Sequence, residues 1–416
     1  MSATTETTAP AERVTLGTLW SGYITKLRGG EVGSLPAILG LVALVVVFSI
    51  MRPETFTNAF NFANLIGQSA GVTVLAMGLV FVLLLGEIDL GAGYTGGVSA
   101  GVLGLTMTNH GWPVVPSLIA GLATGAVIGF FIGWLVAKLG IPSFVVTLAT
   151  FLGLQGVLLT ITGEGGAIAY HNNFINKLNS GNIPVWLGWT LAALVVVGYV
   201  GLTFLQNQRR ARRGLTSQPL LLWVLKSATL TVIVFLVTLY LSIERGPNPA
   251  LKSIKGVPIS LLVIIGLLLV LSFALGRTRW GRHVYAVGGN AEAARRAGIN
   301  VASIRLTCFM VSSTVAAIGG IMLASRTNSV SPTTGGNTTL LYAVGAAVIG
   351  GTSLFGGKGR ILDALIGGTV VAVIQNGMGL LNKPQGTVWM VTGVVLLVAA
   401  SVDAISRRRT AASGRG

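Results

Sequence analysis

Long apolar stretches alternate with short polar gaps from about residue 35 to residue 405. A run of roughly 17–25 apolar residues is long enough, as a helix, to cross the hydrocarbon core of a bilayer. Twelve such runs predict twelve membrane helices: Leu35–Met51, Phe62–Leu85, Ile88–Thr108, Val114–Leu139, Ser143–Thr162, Val185–Leu205, Leu220–Ile243, Val257–Leu275, Ser303–Ser325, Thr338–Phe355, Ile361–Leu381 and Thr387–Ile405. The pattern therefore predicts an all-α polytopic membrane protein of about twelve transmembrane helices. Residues 1–34 are polar and rich in Ser, Thr and Ala, and no cleavable signal peptide is legible in them; they read as a disordered cytoplasmic tail. Residues 406–416 read as a basic one.

Composition agrees with the pattern. Charged residues make up 9% of the chain, hydrophobic residues 52%, and the mean hydropathy is +0.79. A soluble domain carries about 25% charged residues because its surface faces water. The 58 glycines suit helices that approach one another backbone to backbone in lipid. The net charge of +17 raises nucleic acid as a partner, but the basic residues lie in gaps between apolar runs and are not interleaved with aromatics along a groove. They follow membrane topology instead. With the N-terminus inside, 21 of the 28 lysines and arginines fall on inner segments, the bias of inside-facing loops. This places both termini in the cytoplasm. Trp112, Trp186, Trp189 and Trp389 fall near outer helix ends and Trp134, Trp223 and Trp280 near inner ones, as an interfacial aromatic belt requires.

Candidate chemistry is sparse. The single Cys308 excludes an internal disulfide, and His110, His171 and His283 are scattered, with no HExxH spacing. No metal site, cofactor or nucleophile–base pair is expected, so the chain reads as no enzyme. Gly91-Ala-Gly93-Tyr-Thr-Gly96 fits GxGxxG, but inside a membrane run it lacks the strand and soluble βαβ unit that a dinucleotide site needs. Around Lys358 the Walker spacing fails, with Thr352 at the first glycine position and Gly359 at the hydroxyl position, so ATP-driven work needs a second protein.

Two runs differ from plain lipid-facing helices. Ile88–Thr108 opens on Gly91, Gly93, Gly96 and Gly97, and Thr338–Phe355 ends in Gly350 and Gly351, followed by Gly356, Gly357 and Gly359. Such glycine-interrupted helices, one in each half of the chain, are tolerated where backbone is buried in protein or lines a path. Gly121, Gly125, Gly129 and Gly133 recur every four residues and give one helix a smooth face, for packing within the fold or against another subunit. Gln68, Asp89, Thr147, Gln155 and Asn376 are candidates for a solute path, Gln375 standing beside them; each alternatively bonds helix to helix. Glu87, Asp89 and Asp363 stand near predicted helix ends, as caps or anchors or as ion-coupling groups.

The inner loop 277–302 carries the most pointed signal. Asn290 is a good N-cap, Glu292 lies in the first turn, Arg295 and Arg296 in the last, and Gly298 at the stop position. Glu292 and Arg296 also form an i,i+4 pair. A helix of two turns is marginal alone in water, so one so well punctuated either docks into a partner or is an ordinary connector.

Several segments together resemble one family: Gly86-Glu-Ile-Asp-Leu-Gly91, Gly140-Ile-Pro-Ser-Phe-Val-Val-Thr-Leu148, Gly281-Arg-His-Val-Tyr-Ala-Val-Gly-Gly-Asn290, Ala293-Ala-Arg-Arg-Ala-Gly-Ile299 and Ala346-Ala-Val-Ile-Gly-Gly-Thr-Ser-Leu-Phe-Gly-Gly-Lys-Gly359. From about Leu35 to Ile405 the chain resembles the permease subunit of bacterial ABC importers for monosaccharides, the ribose and xylose group. The resemblance implies a bacterial inner-membrane protein, present as two copies with a cytoplasmic ATP-binding-cassette ATPase and served by an extracytoplasmic sugar-binding protein. Asn290, Glu292, Ala293, Ala294, Arg295, Arg296 and Gly298 would then form the helix seated in the ATPase. Two departures stand out: Gly86-Glu87 and Gly91, where the family shows Gly-Gly-Ile-Asp-Leu-Ser, and an extra helix pair at 185–243 with a basic linker at Arg209–Arg213. The longer plan resembles the xylose branch and implies a pentose. The alternative class is a proton- or ion-coupled secondary transporter using Glu87, Asp89 or Asp363.

Overall fold

The computed structural model describes residues 33–214, 219–246, 248–249 and 253–412; the expected N-terminal tail to residue 32, Lys252 and the last four residues lie outside them. The helices are α1 (Leu35–Met51), α2 (Pro53–Phe56), α3 (Ala59–Leu84), α4 (Ala92–Gly104, extended by a π-helical turn Leu105–Asn109), α5 (Val114–Lys138), α6 (Ser143–Thr162), α7 (Asn173–Ser180), α8 (Val185–Arg212) and α9 (Leu220–Ser242). Then follow α10 (Ile259–Arg277), α11 (Arg279–Gly289), α12 (Ala291–Arg296), α13 (Val301–Thr327), α14 (Asn337–Gly350), α15 (Ile361–Leu380) and α16 (Gln385–Ala412). Each of the twelve apolar runs contains helix, two of them over only part of their length. Among the described residues, eight helices are long and apolar enough to cross a membrane: α3, α5, α6, α8, α9, α10, α13 and α15. The fold is an all-α polytopic membrane fold.

The chain forms two compact units. The larger comprises 33–191 and 236–403, and the smaller includes 192–235. In the smaller unit Trp223 Nε1 donates to Thr203 Oγ1 at 2.9 Å and its ring lies 5.7 Å from that of Phe204. In the larger unit α13 is the central element, packed against α3, α4 and α5, while α14 and α15 pair with each other and with α3. The glycine strip serves this packing. A Cβ at Gly125, Gly129 or Gly133 would press on Ala317, Phe309 and Leu306 of α13, so these glycines bring two helix backbones together within one chain.

Two runs start or stop differently from their apolar pattern. Helix in Ile88–Thr108 begins only at Ala92, after an irregular turn over 86–91 in which Gly86 takes φ +73°. The run Thr338–Phe355 is helical only to Gly350; Gly351, Gly356 and Gly357 have φ of +118°, +85° and +72°, which no right-handed helix accommodates. Short elements lie in the polar gaps. Asn172 Oδ1 accepts from Phe174 N at 2.9 Å and starts α7, Thr278 Oγ1 accepts from Gly281 N at 3.0 Å and starts α11, and a two-residue strand, β1 (Ile168–Ala169), pairs antiparallel with β2 (Ser329–Val330).

Candidate functional site

The segment α12 has the expected punctuation. Asn290 Oδ1 accepts from Ala293 N at 2.9 Å, and Gly298, at φ +83°, closes the helix with its N–H on Arg295 O at 3.0 Å, Ile299 N reaching Ala294 O at 3.0 Å. Within the helix, Glu292 pairs more tightly with Arg295, at 2.6 Å, than with Arg296, at 3.7 Å. Ala294 is buried against the body of the protein while both arginine side chains are exposed, at 62% and 81%. The helix is thus anchored on one face and open on the other.

Beneath it, three glycine-containing backbones meet. A Cβ at Gly288, the penultimate residue of α11, would overlap Leu84 O at the end of α3 and stand 3.0 Å from Gly357 N. Gly357 N in turn donates to Leu84 O at 2.8 Å, and a Cβ at Gly86 would lie 3.3 Å from Phe355 O. Tyr285 Oη on α11 donates to Gly359 O at 2.8 Å; burial pushes its phenol pKa up, the Asp363 charge adds to this, and Arg360 opposes it. The two glycine-interrupted segments, far apart in sequence, therefore touch each other and the helix preceding α12. Nothing in the spacing of these glycines announced that meeting.

The acids near helix ends take local partners. Glu87 forms an ion pair with Arg305 of α13, Oε1 to Nε 3.2 Å, with side-chain exposures of 14% and 33%. Arg305 lies nine residues after Arg296 on the chain that leaves α12, so this pair ties that segment to the irregular turn before α4. Asp363 caps α15: Arg360 N donates to its Oδ2 at 2.8 Å and the Arg360 guanidinium to its Oδ1. Asp89, 1% exposed, faces the N–H groups of Gly91 and Ala92 at the start of α4 and accepts from Ser312 Oγ at 3.4 Å. Replacing Glu87 by Gln leaves Arg305 partly buried without its counter-charge. The expected cost is about 1–2 kcal/mol, read as a lower melting temperature of the detergent-solubilised protein, and Arg305→Gln in the same chain should restore part of it.

The five expected path residues divide into separate places. Gln68 and Asn376 come together with Asn61, which the sequence reading passed over. Asn61 and Asn376 exchange Nδ2–Oδ1 bonds at 2.9 and 2.8 Å, and Asn376 Nδ2 also reaches Gln68 Oε1 at 3.3 Å. Asp89 and Thr147 belong to a second cluster, where Thr147 Oγ1 donates to Ile88 O at 3.2 Å. Gln155 joins neither; it is exposed on α6. Most of these groups thus bond helix to helix. Ser312, Arg305 and Tyr285 were missed because single polar residues at helix-facing positions carry no spacing signal.

With this geometry in hand, comparison with known proteins is informative. Residues 61–400 match the family model described as branched-chain amino acid transport system / permease component. The chain is 34% identical over 401 residues to the xylose transport system permease protein of Escherichia coli, covering 96% of this chain and 99% of that one. It is 30% identical to the ribose import permease protein of the same organism, covering 92% and 96%, and 28% identical to the fructose import permease protein of Rhizobium meliloti, covering 89% and 86%. No solved structure matches it.

Proposed function

The chain belongs to the branched-chain amino acid transport system / permease component family, and on that premise we propose that it is the membrane-spanning subunit of an ATP-binding-cassette importer for a monosaccharide, a pentose such as xylose. It performs no covalent chemistry; ATP is hydrolysed by a separate cytoplasmic subunit. Two copies of the chain form the translocation unit in the bacterial inner membrane, twelve helices crossing per copy with both termini in the cytoplasm, and an extracytoplasmic sugar-binding protein delivers the solute. The glycine-interrupted segments, with their irregular backbone buried in protein, would move against each other as access alternates.

The observation that carries this reading is the position of α12. It is short, capped at both ends and exposed along the Arg295–Arg296 face, and it stands on the junction where α3, α11 and the 351–359 loop share backbone contacts. A force applied to α12 from the cytoplasm reaches both glycine-interrupted segments through that junction and through Glu87–Arg305. Of the three acids on which an ion-coupled carrier would depend, Glu87 is held in an ion pair and Asp363 caps α15, while Asp89 is buried with a long bond from Ser312. The test is uptake of labelled xylose, ribose and fructose into proteoliposomes holding the chain, its ATPase and the binding protein. Uptake should require internal ATP, favour the pentoses and survive ionophores. Uptake that persists without ATP and collapses with an ionophore would overturn the reading.

A further inference from the structure

At the end of α13 far from α12 lies a half-open cavity of about 330 Å³, lined among others by Asn64, Asn179, Asn182, Arg245, Pro258 and Arg326. Twenty-five residues of helix separate Val301 from Arg326, about 38 Å at the helical rise, so if α12 faces the cytoplasm this cavity faces outward. Its electrostatics are one-sided. Two guanidinium groups line it, no carboxylate does, and neither arginine belongs to an ion pair among the described residues.

Arg245 is 7% exposed. Its Nη2 donates to Asn182 Oδ1 at 3.1 Å and to Gly256 O at 2.8 Å, and its Nε and Nη1 have no hydrogen-bond partner among the described residues. Arg326 makes one long bond, Nη2 to Asn64 Oδ1 at 3.4 Å. Glu244, next to Arg245 in the chain, accepts from the Arg245 backbone N–H at 3.1 Å and lends its charge to that side, but makes no direct contact with the guanidinium among the described residues. Its oxygens accept from Ser253 Oγ and from the N–H groups of Gly246 and Ile254, which hold its pKa down to about 2. A guanidinium withdrawn from water without a counter-charge is costly, and its planar fork matches a carboxylate. The cavity offers donors and positive charge, and it lacks the acidic acceptors that a neutral polyol would also use.

We propose that this cavity is an anion site that receives a surface carboxylate of the extracytoplasmic solute-binding partner. The assignment rests on the importer reading above, because that reading supplies a protein docking at this end. Charge complementarity identifies the contact: an Asp or Glu side chain entering between Arg245 and Arg326 would neutralise both, and Asn64 and Asn182 flank the seat.

The test uses the full-length chain with its ATPase in nanodiscs, reading half-saturation by the binding protein from stimulated ATP hydrolysis at low and high salt. Arg326→Glu should raise the half-saturating concentration by at least about tenfold and abolish most of its salt dependence, with Arg326→Gln intermediate. Because Arg245 also holds the loop together, Arg245→Lys is the gentler variant there, and co-purification of the ATPase reports an intact complex. Wild-type half-saturation in both Arg326 variants would overturn the proposal while leaving the importer reading in place. Succinate supplies the free-anion arm. Competition with the binding protein on the wild-type chain, lost in Arg326→Gln, supports the seat; saturable succinate binding without competition assigns the site to a free anion and overturns the docking role. If the binding protein stimulates no hydrolysis even with the wild-type chain, the importer reading falls and takes this one with it.

Discussion

The double substitution Arg295→Glu/Arg296→Glu should lower ATP-dependent uptake by about 10- to 100-fold, the scale at which charged contact residues fail at a protein interface. The fold should survive. Both side chains are exposed, their bonds to Glu292 are surface ion pairs of the i,i+3 and i,i+4 kind, and such pairs contribute roughly 0.3–0.5 kcal/mol each. Reversal adds like charge next to Glu292 and places acid at a helix C-terminus, each a penalty of a few tenths of a kcal/mol. The buried anchor Ala294 and the Asn290 and Gly298 caps remain. The discriminating readout is therefore the ratio of sugar transported to ATP hydrolysed, measured beside the melting temperature. Wild-type transport from the double variant would remove the role given to α12, whereas a matching fall in melting temperature would mean that the arginines support the fold.

The second large effect concerns the backbone contact at the centre of the larger unit. A Cβ on Gly320 of α13 would overlap the Gly96 carbonyl of α4, with the Gly96 Cα also in the way. The obstacles are backbone atoms, which give way only if the two helices separate. Gly320→Leu should accordingly cost at least about 3 kcal/mol, at or beyond the upper end for overpacking a core, and show as loss of the monodisperse peak in detergent size-exclusion chromatography. Gly40→Leu on α1, where a Cβ meets nothing within 4 Å, is the control and should elute as wild type. A monodisperse Gly320→Leu protein with unaltered thermal stability would show that α4 and α13 do not meet at that point.

The capped segment α12 was legible in advance because its information is local. Asn290, Glu292, the two arginines and Gly298 all act within about two and a half turns of backbone, and side-chain-to-backbone bonding over three or four residues is what sequence spacing encodes. The same locality explains Asp363, whose bonds run to Arg360 three residues away. The polar residues deep in the helices behave otherwise. Gln68 and Asn376 are 308 positions apart and bond directly, with Asn61 on Asn376's other side; Gln155, with the same composition signal, meets neither. No rule of periodicity distinguishes them, because what decides is which neighbouring helix lies opposite.

Hydrophobic content and run length by themselves determined that the chain is a bundle of membrane helices, since an 18-residue apolar stretch in so weakly charged a protein has no aqueous alternative. The local spacing of capping and charged residues located α12 and its caps. Helix boundaries were displaced from the apolar boundaries at Ala92 and at Gly350; at the latter the positive φ of Gly351 interrupts the helix regardless of how apolar the following residues are. Only the tertiary structure decided that the two interrupted segments join beneath α12, that Glu87 answers Arg305, and that Arg245 and Arg326 line one cavity. Each of these depends on contacts between elements distant in sequence, fixed by how closely glycine-bearing backbones pack, and hydropathy along one chain contains no record of that distance.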